Sequence, residues 1–452
     1  MTDLLVSLAP IGGVLPFLAA LLVTWRHLHP ASFWLGVGYP LRAARVYLTW
    51  GNVAAGCGLS TKRRRIRWTL DGITALDLLT KGREDKRRIR RVQVDKAPGL
   101  GLVLPLRHGF KLWVRLPDGQ TPDHYTAKLD HLGHAWRVHS VRVLRWKPGK
   151  VQLQATVYDP LTSVSASVVD QFLKVCVGRL ETNAPWVIDF TTMPHWLITG
   201  ATQSGKSTLI NRLICGLAPQ PLAIIGCDLK GGVELTPYED RLTALATDRA
   251  QMTAVLNRLI DEIKRRMSTC RDHRVRNIWQ LPEDAQPVPV IMFVDEVAEL
   301  FLMADKSEKD EIAATATNLI RIAQLGRAFG VYLVICGQRV GSDLGPGVTA
   351  LRAQLSGRVC HRVNDPETAN MTLGDMDPAA LNAARLIPAE TPGLAVVTGA
   401  DGRWYKARSE YVSEQQAEQA AVTYAHLRPT WADITTADVV PISDDEYNAY
   451  AA

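Results

Sequence analysis

Residues Gly200-Ala201-Thr202-Gln203-Ser204-Gly205-Lys206-Ser207 place two glycines, a lysine and a hydroxyl in the order G-x-x-x-x-G-K-[ST]. That spacing suits one chemistry, the holding of a nucleoside triphosphate by its phosphates. Glycines let successive backbone N–H groups curl around the β-phosphate. A helix starting near Lys206 turns its positive end toward the same anion. Lys206 would reach the β- and γ-oxygens and the Ser207 hydroxyl would coordinate Mg²⁺, with Thr208 completing the ATP-binding run.

A second group answers the first. In "VPVIMFVDEVAEL" (288–300) an apolar run from Val290 to Val294 ends in Asp295-Glu296. Such a run suits a parallel strand buried on both faces. A carboxylate pair at its tip is costly to bury without a cation. Asp295 would join Ser207 in holding Mg²⁺, and Glu296 would polarise the attacking water. Two more strands fit the same sheet. "LAIIGCD" (222–228) ends at Asp228, and "VYLVICGQR" (331–339) ends at Gln338-Arg339, where Gln338 could sense the γ-phosphate.

The elements that must position these residues alternate. Strands ending at Thr199, Asp228, Asp295 and Gln338 are separated by helical patterns at 207–217, 248–270 and 307–328. Right-handed crossovers would put every strand tip on one edge of a doubly wound α/β core. Before it, residues 101–165 read as a small α/β module. "FKLWVRLP" (110–117), "RVHSVRVLRW" (137–146) and "KVQLQATVYD" (150–159) alternate like strands, and 121–136 suits a single helix. His124, His131, His134 and His139 cluster there without a cysteine and read as surface rather than a metal site.

The stretch 195–400 resembles the motor of the FtsK/SpoIIIE family of DNA translocases. The resemblance is carried by "CDLKGGVELTPYED" (227–240), "VDEVAEL" (294–300) and "RIAQLGRAFGVYLVICGQR" (321–339), in that order after the glycine loop. It implies a RecA-like P-loop doubly wound parallel sheet. It also implies a homohexameric ring that threads double-stranded DNA and hydrolyses ATP between subunits. A neighbour would then supply an arginine to the γ-phosphate, Arg327 first and Arg321 second. Arg352 and Arg358 in "LRAQLSGRVCHR" (351–362) would meet DNA phosphates near the pore. The short linker makes the chain look most like the compact translocases of actinomycete conjugative plasmids and integrated elements. Chromosome segregation in cell division and type VII-like protein export are the alternatives. The chain after Glu410 is too short for the family's winged-helix DNA reader, so sequence recognition would fall to a separate transfer protein.

Composition agrees with a folded chain that meets a polyanion or an anionic membrane. The chain has 452 residues, 47% hydrophobic and 21% charged, with a formal net charge of +7. Its seven cysteines form no CxxC pair, which suits reduced thiols in a cytosolic compartment. Residues 4–24 carry no charged side chain, enough for a helix of roughly 30 Å, about the hydrocarbon thickness of a bilayer. Residues 1–60 therefore read as a membrane anchor, with a second interfacial or membrane helix at 31–60. A basic linker (61–100) follows, then the module (101–165), the motor (166–410) and a C-terminal helix with an acidic tail (411–452). The cationic runs "TKRRRIRW" and "KGREDKRRIRR" would keep the motor on the cytoplasmic side of the membrane.

Overall fold

The computed structural model describes residues 20–68, 89–162, 164, 169–303, 305, 308–341, 344–345, 347–374 and 377–435. The chain divides into two units, at Asp159 and Pro160.

In the first unit the alternating stretches form antiparallel sheets. β1 (Thr61–Trp68) pairs with β2 (Ile89–Lys96) as a two-stranded ribbon. β3 (Gly99–Leu100), β4 (Leu104–Leu106), β5 (Gly109–Arg115), β6 (Ser140–Lys147) and β7 (Lys150–Thr156) make a second sheet in the order β3-β5-β7-β6, with β4 beside β5. Phe110, Leu112 and Val114 of β5 stand opposite Ala155, Leu153 and Val151 of β7, and all six are buried in one cluster. Gly149, at φ 70°, makes the turn between β6 and β7. The single helix expected at 121–136 is two, Pro122–Thr126 and Leu129–Trp136. Thr121 and His124 form a reciprocal cap at the first of them.

The helix Tyr39–Gly56 completes this core. Val46, Trp50 and Ala54 are buried in the same cluster as the sheet, and the Trp50 ring lies 6.0 Å from that of Trp136. Each aromatic hands its polar atom to the module. Trp34 Nε1 donates to Leu106 O (2.6 Å), Tyr39 OH to Val103 O (2.6 Å) and Trp50 Nε1 to Pro98 O (2.7 Å). Trp34, Tyr39 and Trp50, in the stretch read from sequence as an interfacial or membrane helix, thus anchor this core. Residues 61–68 and 89–96, read as part of a linker, are paired strands. The expected span at 4–24 lies outside the described residues but for its last positions, where residues 20–28 are helical. No helix among the described residues is long and apolar enough to cross a membrane.

The second unit is built on one ten-stranded sheet. Its strands are β8 (Lys174–Leu180), β9 (Pro185–Asp189), β10 (His195–Thr199), β11 (Ala223–Cys227), β12 (Ala244–Ala246), β13 (Val290–Val294), β14 (Val331–Gly337), β15 (Gly357–His361), β16 (Leu394–Thr398) and β17 (Trp404–Ser409). Their order is β12-β11-β13-β14-β10-β15-β16-β17-β8-β9. The six strands from β12 to β15 are parallel, and the four beyond them are antiparallel. The sheet is therefore mixed, not the wholly parallel one expected. β17 meets β8 across most of the unit's sequence, a pairing that no local pattern announces.

Every residue of β10, β11, β13 and β14 is buried, as continuous apolar runs require. Along β13 the faces alternate. Val290, Met292 and Val294 pack with helices Arg249–Asp272 and Lys309–Leu325, while Ile291 and Phe293 pack with the helix Lys206–Leu217. The C-terminal helix Glu414–Thr423, capped by Ser413 with Gln416, buries Ala417 and Ala421 in that second cluster. Ile434 enters the first. Residues 413–435 are therefore part of the motor core, whereas the acidic tail lies outside the described residues.

Candidate active site

Strand register brings the tips together. Thr199 of β10 lies opposite Gly337 of β14 and Cys360 of β15, and Val294 of β13 lies opposite Cys227 of β11. The glycine loop, Asp228, Asp295-Glu296 and Gln338 therefore share one edge of the sheet, as the strand–helix alternation requires.

The loop is held by its own conformation and by chain far off in sequence. Gly205 sits at φ 102°, and a Cβ there would lie 2.1 Å from Gly393 N. Gln203 is also left-handed, at φ 61°. Gly393 N–H donates to Ser204 O (2.9 Å), Ala201 N–H to Arg362 O (2.8 Å), and the Arg362 guanidinium to Thr202 O (2.9 Å). The helix begins at Lys206 itself, so Ser207 and Thr208 lie in its first turn, with Ser207 exposed.

Lys206 Nζ donates to Asp295 O (3.1 Å) and pairs with Asp295 Oδ1 (3.4 Å). Burial pulls the lysine's pKa down, but Cys336, Asp295 and Glu296 around it pull harder, and the net shift is upward. Lys206 is thus held as a cation. Glu296, only 4% exposed, accepts N–H bonds from Gln338 (3.2 Å) and Ala298 (3.4 Å). Lys230 Nζ lies 3.6 Å from Oε2, the oxygen that accepts the Gln338 N–H. The Gln338 side chain itself is exposed.

Lys230 had no role in the sequence reading. Its signal was there, in the Asp-Leu-Lys-Gly-Gly that follows β11. Asp228, fully buried, accepts N–H bonds from Lys230 (3.1 Å) and Glu234 (2.8 Å) and so folds that loop back on itself. Gly231 and Gly232 supply the positive φ it needs. Burial and the nearby Asp295 push the Glu234 carboxyl above its usual value. Arg362 and Gly393 had no such signal, because only the fold brings them to the loop.

The expected arginines fall elsewhere. Arg327 is exposed in the turn Gly326–Phe329, just before β14 begins. β14 runs seven residues from there to the nucleotide edge, roughly 20 Å. Arg327 therefore cannot serve the loop of its own chain. Arg321 is exposed on the preceding helix. Arg352 donates to Val340 O (3.2 Å) at the start of the segment that follows Gln338. Arg358, the other expected DNA contact, is half-buried. Its guanidinium is turned inward onto the carbonyls of Thr372 (3.1 Å) and Arg352. Burial, and then Arg352, lower its pKa to about 10. An arginine committed to two carbonyls positions chain more readily than it grips DNA.

Two histidines of this sheet carry a pH dependence. His195 and His361 are buried, and burial lowers each to a pKa of about 4. Unfolded, each would titrate near 6.5. Their stabilising contribution is therefore complete above about pH 6.5 and is lost as pH falls toward 4, by up to about 3 kcal/mol for each. Thermal melting of the intact protein between pH 7.5 and 4.5 should show the midpoint falling below pH 6.5. A His361→Gln variant should show a shallower fall.

Comparison with known proteins gives the site a context. Residues 22–157 match the family described as actinomycete conjugal transfer protein N-terminal domain. Residues 161–283 and 278–342 match the FtsK/SpoIIIE family. The chain is 36% identical to the transfer protein TraSA of Streptomyces ambofaciens, over 85% of this chain and 92% of that protein. It is 46% identical to a sporulation regulatory protein of Streptomyces azureus, over 52% of this chain and 78% of that one. Identity to the DNA translocase FtsK of Haemophilus influenzae is 26%, over 64% of this chain and 61% of that protein. Among solved structures, the pCW3 conjugation coupling protein TcpA, in monomer form with ATPγS, aligns with a TM-score of 0.51 at 21% identity. That alignment covers 72% of this chain and 93% of that one, and speaks to the fold.

Proposed function

Because the chain belongs to the FtsK/SpoIIIE family of P-loop ATPases, we propose that it is a membrane-anchored, ATP-driven double-stranded DNA translocase, which moves plasmid or integrative-element DNA between cells in conjugation. The observation that carries this reading is the completeness of the nucleotide edge. Lys206, Asp295, Glu296 and the Gln338 N–H converge there within hydrogen-bonding or ion-pairing distance. Likeness to TraSA across nearly its whole length supports conjugation over chromosome segregation or protein export.

The residues fit a magnesium nucleotide. Gly205 leaves no room for a side chain where the loop closes, and each of two adjacent buried carboxylates is paired with a lysine. Ser207 and Asp295 would hold Mg²⁺, which when bound would screen the phosphate charge and align the terminal phosphoryl group. Lys206 would bind the β- and γ-oxygens on leaving Asp295. Glu296, held by two backbone N–H groups, would orient the attacking water, and the Gln338 side chain would sense the γ-phosphate.

A homohexamer supplies what one chain lacks, since Arg327 would have to act on a neighbour's nucleotide. The helices of residues 20–56 keep Leu28, Leu41 and Leu48 exposed, the last at 83%. This apolar face, with the uncharged residues before it, would lie against the cytoplasmic membrane, leaving the motor in the cytoplasm. Arg352 would sit near the DNA path, and Arg358 would support it. A separate transfer protein would choose the DNA.

The test is the ATPase rate of the full chain in detergent with linear duplex DNA, with single-stranded DNA and with neither. A truncation at Thr61 would strip Trp50 and its helix from the first unit's core, so the whole chain is the right material. Stimulation by duplex DNA alone is expected, with a steep loss as salt rises. Equal rates in all three conditions would reject the translocase reading.

A further inference from the structure

Opposite the nucleotide edge, the motor carries a cavity of about 790 Å³ beneath the N-terminal ends of its parallel strands. Two arginines line it, Arg276 and Arg327, and no carboxylate does. Both are exposed, and among the described residues neither guanidinium is engaged by a carboxylate or carbonyl of its own unit. A cavity with two free cations and no counter-charge is built for an anion from outside the unit.

Both arginines stand on rigid supports. Arg276 N–H donates to Gln280 Oε1 (3.0 Å). Trp279, in the same short segment, packs edge-on against Phe172 with centroids 6.2 Å apart. The turn that carries Arg327 is held from below by the fully buried Arg266, which donates to Phe329 O (2.7 Å). Arg276 is thus set beside Arg327 by the loop between the helix Arg249–Asp272 and β13. The opposite edge of the unit, by contrast, concentrates Asp228, Glu234, Asp295, Glu296 and the phosphate loop.

We propose that Arg276 is a second cation acting in trans: together with Arg327 it reaches the triphosphate held by the P-loop of a neighbouring copy of this chain. The inference rests on the ring of ATPases proposed above and adds a residue to its chemistry. As negative charge spreads over the departing phosphoryl group, a preorganised pair of guanidinium groups stabilises it without reorganisation. It also makes turnover conditional on a correctly seated neighbour.

Full-length Arg276→Ala protein should bind a fluorescent ATP analogue as the wild type does, because its own P-loop is untouched. Its duplex-stimulated ATPase should fall by at least about 10²-fold. Lys206→Ala protein should be equally inactive. Mixing the two and reassembling them should restore activity above the sum of the parts, since a Lys206→Ala subunit still offers Arg276 to an intact P-loop beside it. Retention of wild-type ATPase by Arg276→Ala, or mixing that restores nothing, overturns the proposal. So does an intact ATPase with weakened duplex binding, which would make Arg276 a DNA contact. Arg327→Ala, run in parallel, separates the two levels. If Arg327→Ala complements Lys206→Ala and Arg276→Ala does not, the ring stands and the second cation falls. If the wild type shows no duplex-stimulated turnover, the translocase reading itself has failed. Should Arg276→Ala lose analogue binding through misfolding, Arg276→Gln keeps the stem and is judged by the same criteria.

Discussion

Replacing Glu296 by glutamine is expected to cut ATP turnover by about 10²- to 10⁴-fold while leaving ATP binding in place. The substitution keeps the side-chain volume in a position that is only 4% exposed. An amide oxygen in the place of Oε1 can still accept from Gln338 and Ala298, so the cap at the helix Val297–Phe301 survives. What is lost is the negative charge. An amide cannot take a proton from water, and its NH₂ would point at Lys230 and be repelled. Turnover and analogue affinity, measured on the same protein with saturating duplex DNA, decide the matter. A large fall in rate with unchanged affinity identifies Glu296 as the group that orients the water. A parallel fall in both would mean that Glu296 mainly holds Lys230 and the loop around the nucleotide.

The second large effect concerns stability. Arg266 is wholly buried in the helix Arg249–Asp272 and forms a short ion pair with Glu262, whose side chain is 1% exposed. It also donates to Phe329 O (2.7 Å) and Val288 O (2.8 Å). Burial lowers its pKa, with Glu262 opposing the shift. Arg266→Met should destabilise the motor by about 3–5 kcal/mol, because a buried carboxylate and two carbonyls lose their partner. Arg265, paired with the same Glu262 at 2.7 Å, keeps the cost from rising further. The double variant Glu262→Leu/Arg266→Met removes both charges and should recover much of the loss. Urea unfolding of the three proteins at pH 7.5 checks this. Equal destabilisation by single and double variants would mean that the carbonyl bonds, not the ion pair, carry the cost.

The two predictions differ in how far the sequence anticipates them. Glu296 was legible because its chemistry is local. An apolar strand followed by two acids, after a G-x-x-x-x-G-K-S loop, leaves few other readings. Nothing in the spacing of Arg266 marks it as different from Lys264 or Arg265, which lie on the same helix and stay at least partly exposed. The difference arises from which face of the helix meets the sheet. The same holds for Arg352 and Arg358, whose charge suggested DNA while their partners are backbone carbonyls. It holds too for Trp34, Tyr39 and Trp50, which lie in a stretch read as an interfacial or membrane helix and give their polar atoms to the β-module.

The local pattern of residues carried the G-x-x-x-x-G-K-S loop, the acid pair after an apolar strand and the β/α order that aligns them, because strands and helices are encoded by short-range periodicity. Tertiary structure alone decided which distant chain completes the site and the fold. It set Gly393 against Gly205, Arg362 on the carbonyl of Thr202, and Lys230 beside Glu296. It added four antiparallel strands to the parallel six, drew the C-terminal helix into the motor core, and placed Arg276 with Arg327 on the edge facing away from their own nucleotide loop. These contacts join residues far apart in the chain, and they are selected by the burial of whole faces rather than by any local pattern.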